Sequence, residues 1–181
     1  MIINETTIKQ ANVLEAGRQM MLAARTAPKA KGVDNLEIIL VDGDELFLLA
    51  DYMDKSVEKH GRQFFHRDAN TIRQAQAMVV IGTRLSNFGL NCGYCGFPTC
   101  EEKDRQGKTP CAFPVNDLGI AIGSACATAA DRRVDTRVMF SAGIAAMELG
   151  WLGASCKAAY AIPMSATSKN PFFDRVSTRP A

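Results

Sequence analysis

Residues 118–130 read LGIAIGSACATAA, a run without a charge in which nearly every residue is small or apolar. A helix of this composition is apolar around its whole circumference, and such helices normally lie buried at the centre of a domain. Asn116 or Asp117, just before the run, is a suitable N-cap residue. We therefore expect a central buried helix over Leu118–Ala130, against which the rest of the chain packs.

Amphipathic helices and short strands alternate on both sides of this run. Apolar residues at helical spacing predict a first helix from Thr6 to about Arg25. Short branched runs that stop at a glycine predict strands at Leu36–Val41 and Ala77–Ile81. Further helices are predicted at Leu46–Val57, Ala69–Gln76 and Ala142–Leu149, and further strands at Thr136–Phe140 and Lys157–Ile162. This alternation predicts an α/β (α+β) fold, a sheet flanked by helices, in one domain over residues 1–181.

Charge and hydropathy exclude two classes of partner. Lys and Arg number 21 against 19 Asp and Glu, so there is no electrostatic reason to expect nucleic acid. The longest apolar run has 13 residues, whereas a membrane-spanning helix needs roughly 20. The first residues show no secretory signal. We expect a soluble cytoplasmic protein, in which six reduced cysteines indicate metal binding or catalysis rather than disulfides.

The hydrophobic pattern breaks down over residues 86–114, which we interpret as a functional loop. It contains Cys92, Cys95, Cys100 and Cys111 in the spacing C-x2-C-x4-C-x10-C. Four thiolates within twenty residues match the ligand set of an iron–sulfur cluster. The glycines after the first two cysteines permit φ > 0 and leave backbone N–H groups free to approach cluster sulfurs.

Zinc binding and disulfide formation are the alternatives to a cluster for these cysteines. A structural zinc site also takes four cysteines, but it usually shows two C-x2-C pairs, and here the second pair is spread over ten residues. A disulfide is disfavoured by the expected compartment. Cys126 lies in the apolar run and Cys156 just before a predicted strand, so both are expected in the core.

The loop resembles a small motif, C-G-x-C-G-x-x-x-C with a later cysteine, that binds one four-iron cluster in certain electron-transfer and corrinoid-related proteins. Cys111 departs from that pattern, because the residues after it are Ala-Phe-Pro. Most of the chain resembles the ferredoxin-domain-containing proteins of anaerobic bacteria and archaea. The matching segments are Ala24–Asp34, the cysteine loop, Asp117–Ala130 and Ala161–Arg175.

That family in turn is similar in layout to the flavin-dependent nitroreductases, which are intertwined homodimers with FMN at the subunit interface. The resemblance implies a nitroreductase-like sheet with the iron–sulfur loop inserted, a homodimer and an FMN site. Arg and Lys are the usual partners of phosphate oxygens. The residues that would hold the flavin phosphate are Arg25, Thr26, Lys29 and Lys31, completed by Lys169 and Arg175 from the tail. The alternative is that the lysines and arginines are solvated side chains where a helix ends.

Three functions follow from these patterns. The first is a possible flavin-dependent oxidoreductase, in which a four-iron cluster exchanges electrons with FMN in a nitroreductase-like dimer. The second is a ferredoxin-like electron carrier or redox sensor that has no flavin and docks on a redox partner. The third is a zinc-stabilised interaction module. The sequence identifies no catalytic acid, base or nucleophile, no substrate and no particular redox partner.

Overall fold

The computed structural model describes residues 1–173. Within them the regular elements are α1 (Glu5–Thr26), β1 (Leu36–Asp42), α2 (Asp44–His60), α3 (Phe64–Ile72), β2 (Ala77–Thr83), α4 (Cys100–Gln106), α5 (Ala112–Asp131), β3 (Asp135–Thr136), α6 (Phe140–Glu148) and β4 (Ala158–Ser165). A short 3-10 turn, Ala30–Gly32, follows α1. The prediction of a mixed helix and strand fold is confirmed.

The strands form one sheet in the order β1-β2-β4-β3, with every neighbouring pair antiparallel. β2 lies at the centre and is buried at each of its seven residues. It opposes Ile38 of β1 through Ile81 and Ile162 of β4 through Val79. The apolar run AMVVIGT suits a strand that is covered on both faces.

The sheet separates two apolar cores because successive side chains of a strand point to opposite faces. Met78 and Val80 of β2 face the core formed with α2, α3 and α6. Val79 and Ile81 face the core formed with α1 and α5. Among residues 1–173, none of the helices has the length and apolarity that crossing a bilayer requires.

The predicted central helix is α5, which begins earlier than predicted and is not buried all round, because Gly119, Ile120 and Gly123 are exposed. α5 starts at Ala112 with Cys111 as its N-cap residue, so Asn116 and Asp117 lie inside the helix and the prediction that one of them caps it is wrong. Pro114 does not prevent this start. A proline in the first turn loses only an N–H that would have no partner within the helix.

Other boundaries also differ from the prediction. The strand predicted over Thr136–Phe140 is wrong for most of its length, because β3 covers only Asp135–Thr136 and Phe140 begins α6. α3 begins at Phe64 rather than near Ala69. Its buried face includes Asp68, which accepts a hydrogen bond from the Ser141 hydroxyl at 2.6 Å, and this buried acid interrupts the apolar spacing in the sequence. The segment predicted as a loop over residues 86–114 contains α4 and the first residues of α5.

Candidate metal centre

The four cysteines of the loop line one cavity. Cys92, Cys95, Cys100 and Cys111 all border it, and the other walls are largely aromatic and aliphatic. Cys92 is exposed, Cys95 and Cys100 are partly buried, and Cys111 is buried. The side chains that the sequence predicted as one ligand set are thus brought together from positions up to nineteen residues apart.

The first two cysteines are presented by a tight turn. Gly93 and Gly96 have φ of 77° and 85°, a conformation that favours glycine, and the Gly96 N–H donates to the Gly93 carbonyl at 2.9 Å. A side chain at either position would be strained in this conformation. The turn therefore depends on the two glycines that separate and follow the pair of cysteines.

The third and fourth cysteines lie where helices begin. Cys100 is the first residue of α4, and Cys111 is the N-cap residue of α5, a helix of 20 residues. The N-terminus of a helix carries a partial positive charge, which favours a thiolate or an anionic group beside Cys111. Asn91 braces Cys100, since its side-chain oxygen accepts the Cys100 N–H at 2.8 Å and its own N–H donates to the Cys100 Sγ at 3.3 Å.

A lysine lies against the same cavity. Lys103 is 7% exposed and borders the cavity beside the cysteines. Its Nζ contacts the Asp104 carboxylate at 2.6 Å. This hydrogen bond raises the pKa of Lys103, burial opposes it, and the thiols of Cys111 and Cys95 add to the rise. Lys103 is therefore a protonated cation close to the sulfurs.

The donor set fits an iron–sulfur cluster. Iron–sulfur clusters are held by four cysteine thiolates, so four cysteines around a common cavity match that ligand set. The positive charge around the cavity suits the negative charge of such a group.

The residues predicted to hold a flavin phosphate have structural partners. Arg25 donates to Asp34 at 2.7 Å and to the Leu36 carbonyl at 3.1 Å, and the Thr26 hydroxyl donates to the Leu22 carbonyl. Burial alone would raise the pKa of Asp34, but hydrogen bonds from Arg25 and the Leu36 N–H lower it below its ordinary value. The side chains of Arg25 and Asp34 thus tie the end of α1 to the start of β1.

The lysines of this segment differ from each other. The Lys29 Nζ donates to the carbonyls of Ala24, Arg25 and Ala27 at 3.2, 2.6 and 2.8 Å, so it caps the C-terminus of α1. Lys31 is exposed and makes one 3.4 Å contact with the Phe88 carbonyl.

The two tail residues of the predicted phosphate site are only partly described. Lys169 is exposed after β4, where its carbonyl accepts the Thr167 hydroxyl. Arg175 lies outside the described residues. The structure therefore brings four of the six predicted flavin contacts to the end of α1 and gives Arg25, Thr26 and Lys29 other partners.

Asp117 connects this basic turn to the metal centre. Its carboxylate is buried and accepts the Ala30 N–H with both oxygens, at 3.2 and 3.1 Å. The turn is thereby fastened to α5, six residues after Cys111, while Lys31 contacts Phe88 in the cavity wall. Sequence reasoning missed this bridge, although an acid directly before a long uncharged apolar run was a signal for it.

Lys103 and Asn91 were also missed. Lys103 stands in the run CEEKDRQ, where its charged neighbours give no sign that it is buried.

The two remaining cysteines lie outside the centre, as expected: Cys156 belongs to one core and Cys126 packs against the other. Burial raises the pKa of both thiols.

Comparisons with known sequences agree with the family resemblance of the chain. A family model described as "Uncharacterized protein containing a ferredoxin domain" matches residues 108–175. An Archaeoglobus fulgidus protein described as "Uncharacterized protein" is 42% identical over 183 residues, which cover 97% of this chain and 98% of that protein. The alignment with this relative extends over nearly the whole chain, including the cysteine loop.

Comparisons with solved structures concern the fold. A BluB-like flavoprotein from Clostridium difficile 630 has a TM-score of 0.59 and 19% identity, over 92% of this chain and 85% of that one. An FMN-dependent nitroreductase from Clostridium difficile R20291 has a TM-score of 0.54 and 16% identity, over 86% and 76%. The fold is therefore nitroreductase-like, as the sequence predicted.

Proposed function

Since the chain belongs to the family of proteins described as containing a ferredoxin domain, we propose that it is an iron–sulfur electron-transfer protein. One observation carries the proposal: Cys92, Cys95, Cys100 and Cys111 border a single cavity that has a helix N-terminus and a buried lysine in its surroundings. A four-iron cluster bound there would supply one-electron chemistry. In this proposal the four thiolates hold it, and the Asn91 N–H donates to the Cys100 sulfur.

We further propose that FMN is the partner of the cluster and couples it to two-electron transfer. The structural relatives support this, because one is an FMN-dependent nitroreductase and another a flavoprotein. The 3-10 turn also supports it, since Asp117 and Lys31 link the predicted phosphate segment to the cavity. A flavin bound near this turn would lie on the side of the molecule that carries the cysteine loop.

A homodimer completes this proposal. α5 presents an exposed face that includes Val115, Ile120, Gly119 and Gly123. A Cβ added at either glycine would meet no atom within 4 Å, so a second helix could approach the backbone closely there. Closed two-fold dimers are the commonest symmetric assemblies, and two copies of this face would cover each other's apolar residues.

A second candidate function is an electron carrier without flavin. Arg25 and Lys29 favour it, because Arg25 already binds a carboxylate and Lys29 already binds backbone carbonyls. On that account the basic turn is a structural connection between α1, α5 and the cysteine loop, and the cluster exchanges electrons directly with a docked protein.

Titration of FMN into the anaerobically isolated protein separates the two functions. Lys31→Ala is the test variant, because Lys31 is exposed and has only one 3.4 Å contact to lose. A charge-assisted contact to phosphate contributes about 1.5–3 kcal/mol, so the variant should bind FMN about 10- to 100-fold more weakly. Equal FMN binding by the wild-type protein and the variant would show that the phosphate site lies elsewhere than at this turn. Absence of binding by the wild-type protein would leave the electron carrier.

A further inference from the structure

We propose that Lys103 and Asp104 form a charge pair that sets the reduction potential of the bound cluster, with Lys103 raising it and Asp104 limiting the rise. This inference rests on the proposed function, since it requires a cluster held by the four cysteines. Neither residue is a ligand, and both act on the cluster through their charge.

The position of Lys103 is the first ground for the proposal. It lies on α4 one turn after Cys100, and within residues 1–173 it is the only lysine or arginine that is buried. Its side chain borders the cysteine cavity on one side and an open cleft lined by Asp104, Lys108 and Pro110 on the other. The Lys103 side chain therefore lies between the cysteine cavity and this outer cleft.

The hydrogen bonds fix the pair in place. The Lys103 ammonium donates to one carboxylate oxygen of Asp104 at 2.6 Å, and the Asn87 amide donates to the other at 2.6 Å. The Asp104 side chain is 54% exposed, whereas that of Lys103 is 9% exposed. The carboxylate is thus screened by water, whereas the Lys103 side chain is largely shielded from water where it borders the cysteine cavity.

The effect on potential follows from charge. Reduction by a one-electron donor adds one negative charge at the site and makes or breaks no bond. A nearby cation stabilises the more negative form and so raises the potential. The Asp104 carboxylate offsets part of that stabilisation. Removal of the cation and removal of the anion should therefore move the potential in opposite directions.

Four variants test this in the anaerobic holo-protein. Lys103→Gln should make reduction about tenfold less favourable, a fall of about 59 mV for a one-electron couple. Asp104→Asn should make reduction about threefold more favourable, and this effect is smaller because the carboxylate is screened by water. Lys103→Arg keeps the charge and should keep the wild-type potential. Lys108→Gln removes an exposed charge from the same outer cleft and should leave the potential unchanged.

The measurement is a redox titration followed by visible absorption, with iron determined for each protein and the titration repeated at high salt. Shifts of opposite sign for Lys103→Gln and Asp104→Asn support the proposal, with the Lys103→Gln shift persisting at high salt and the Asp104→Asn shift becoming smaller. Full iron content with unmoved potentials overturns it and leaves the proposed function intact. If Lys103→Gln loses iron, Asp104→Asn and Lys103→Arg decide the question. Wild-type protein without iron overturns the proposed function and this inference together.

Discussion

The most informative prediction about the predicted phosphate segment concerns Lys29, which the sequence suggested as a flavin contact. An ammonium has three N–H donors, and in this structure they reach the carbonyls of Ala24, Arg25 and Ala27. The group also carries positive charge at the negative end of α1. Lys29→Met removes the ammonium and keeps an aliphatic stem of similar length, so it isolates the capping contribution.

The expected loss of stability is large for a partly exposed residue. A hydrogen bond to a charged group contributes about 1.5–3 kcal/mol, and water replaces part of what is lost. We expect Lys29→Met to lower the free energy of unfolding by about 2–3 kcal/mol, which corresponds to a Tm lower by about 4–12 °C for a chain of this size. Thermal melting without added FMN measures it.

Lys31→Met is the matched control for this experiment. Lys31 lies two residues away, is exposed and makes a single 3.4 Å contact. Its replacement should change the free energy of unfolding by less than about 0.5 kcal/mol. The reasoning is refuted if Lys29→Met melts like the wild-type protein and instead weakens FMN binding, because the ammonium would then serve a ligand rather than the helix end.

Two further predictions concern an acidic side chain and the exposed face of α5. Burial alone would raise the pKa of Asp54, but hydrogen bonds from Arg73 and His66 lower it below its ordinary value. The ionised carboxylate therefore stabilises the folded state above the pKa of the unfolded chain, and this stabilisation is lost as the pH falls through the pKa of the folded protein. Asp54→Asn should cost about 1 kcal/mol at about pH 7, and the difference should shrink towards about pH 3 in urea unfolding. If α5 forms the dimer interface, light scattering should give the wild-type protein twice the 19.6 kDa mass of the chain and Gly123→Glu the mass of one chain, with an unchanged circular dichroism spectrum. A wild-type mass of one chain would contradict the dimer.

Much of the fold could be predicted because its elements have strong local patterns. The period of α1 and the uninterrupted apolar run of β2 marked both elements to within two residues. The start of α5 could not be located in this way. The segment before Leu118 has no apolar period, and a cysteine that caps a helix has no pattern that distinguishes it from a cysteine in a loop.

The site was predictable only as far as residue type and spacing determine it. Four cysteines in a short segment indicate a metal centre, and this prediction does not depend on the fold. By contrast, whether a lysine is free depends on which groups lie nearby, so the sequence suggested Lys29 as a phosphate contact and gave no sign that Lys103 is buried. The local turn after α1 places the Lys29 ammonium on the last carbonyls of that helix, whereas tertiary packing buries Lys103 beside the cysteines.

Iron and acid-labile sulfide, determined together with zinc on anaerobically purified protein, test the central claim most directly. The wild-type chain should contain about four irons and negligible zinc, and the Cys→Ser variants at Cys92, Cys95, Cys100 and Cys111 should each lose most of the iron. Cys126→Ser is the matched control and should keep it, because that thiol lies outside the cavity. Stoichiometric zinc without iron in the wild-type protein, or full iron content in any of the four variants, would contradict the account.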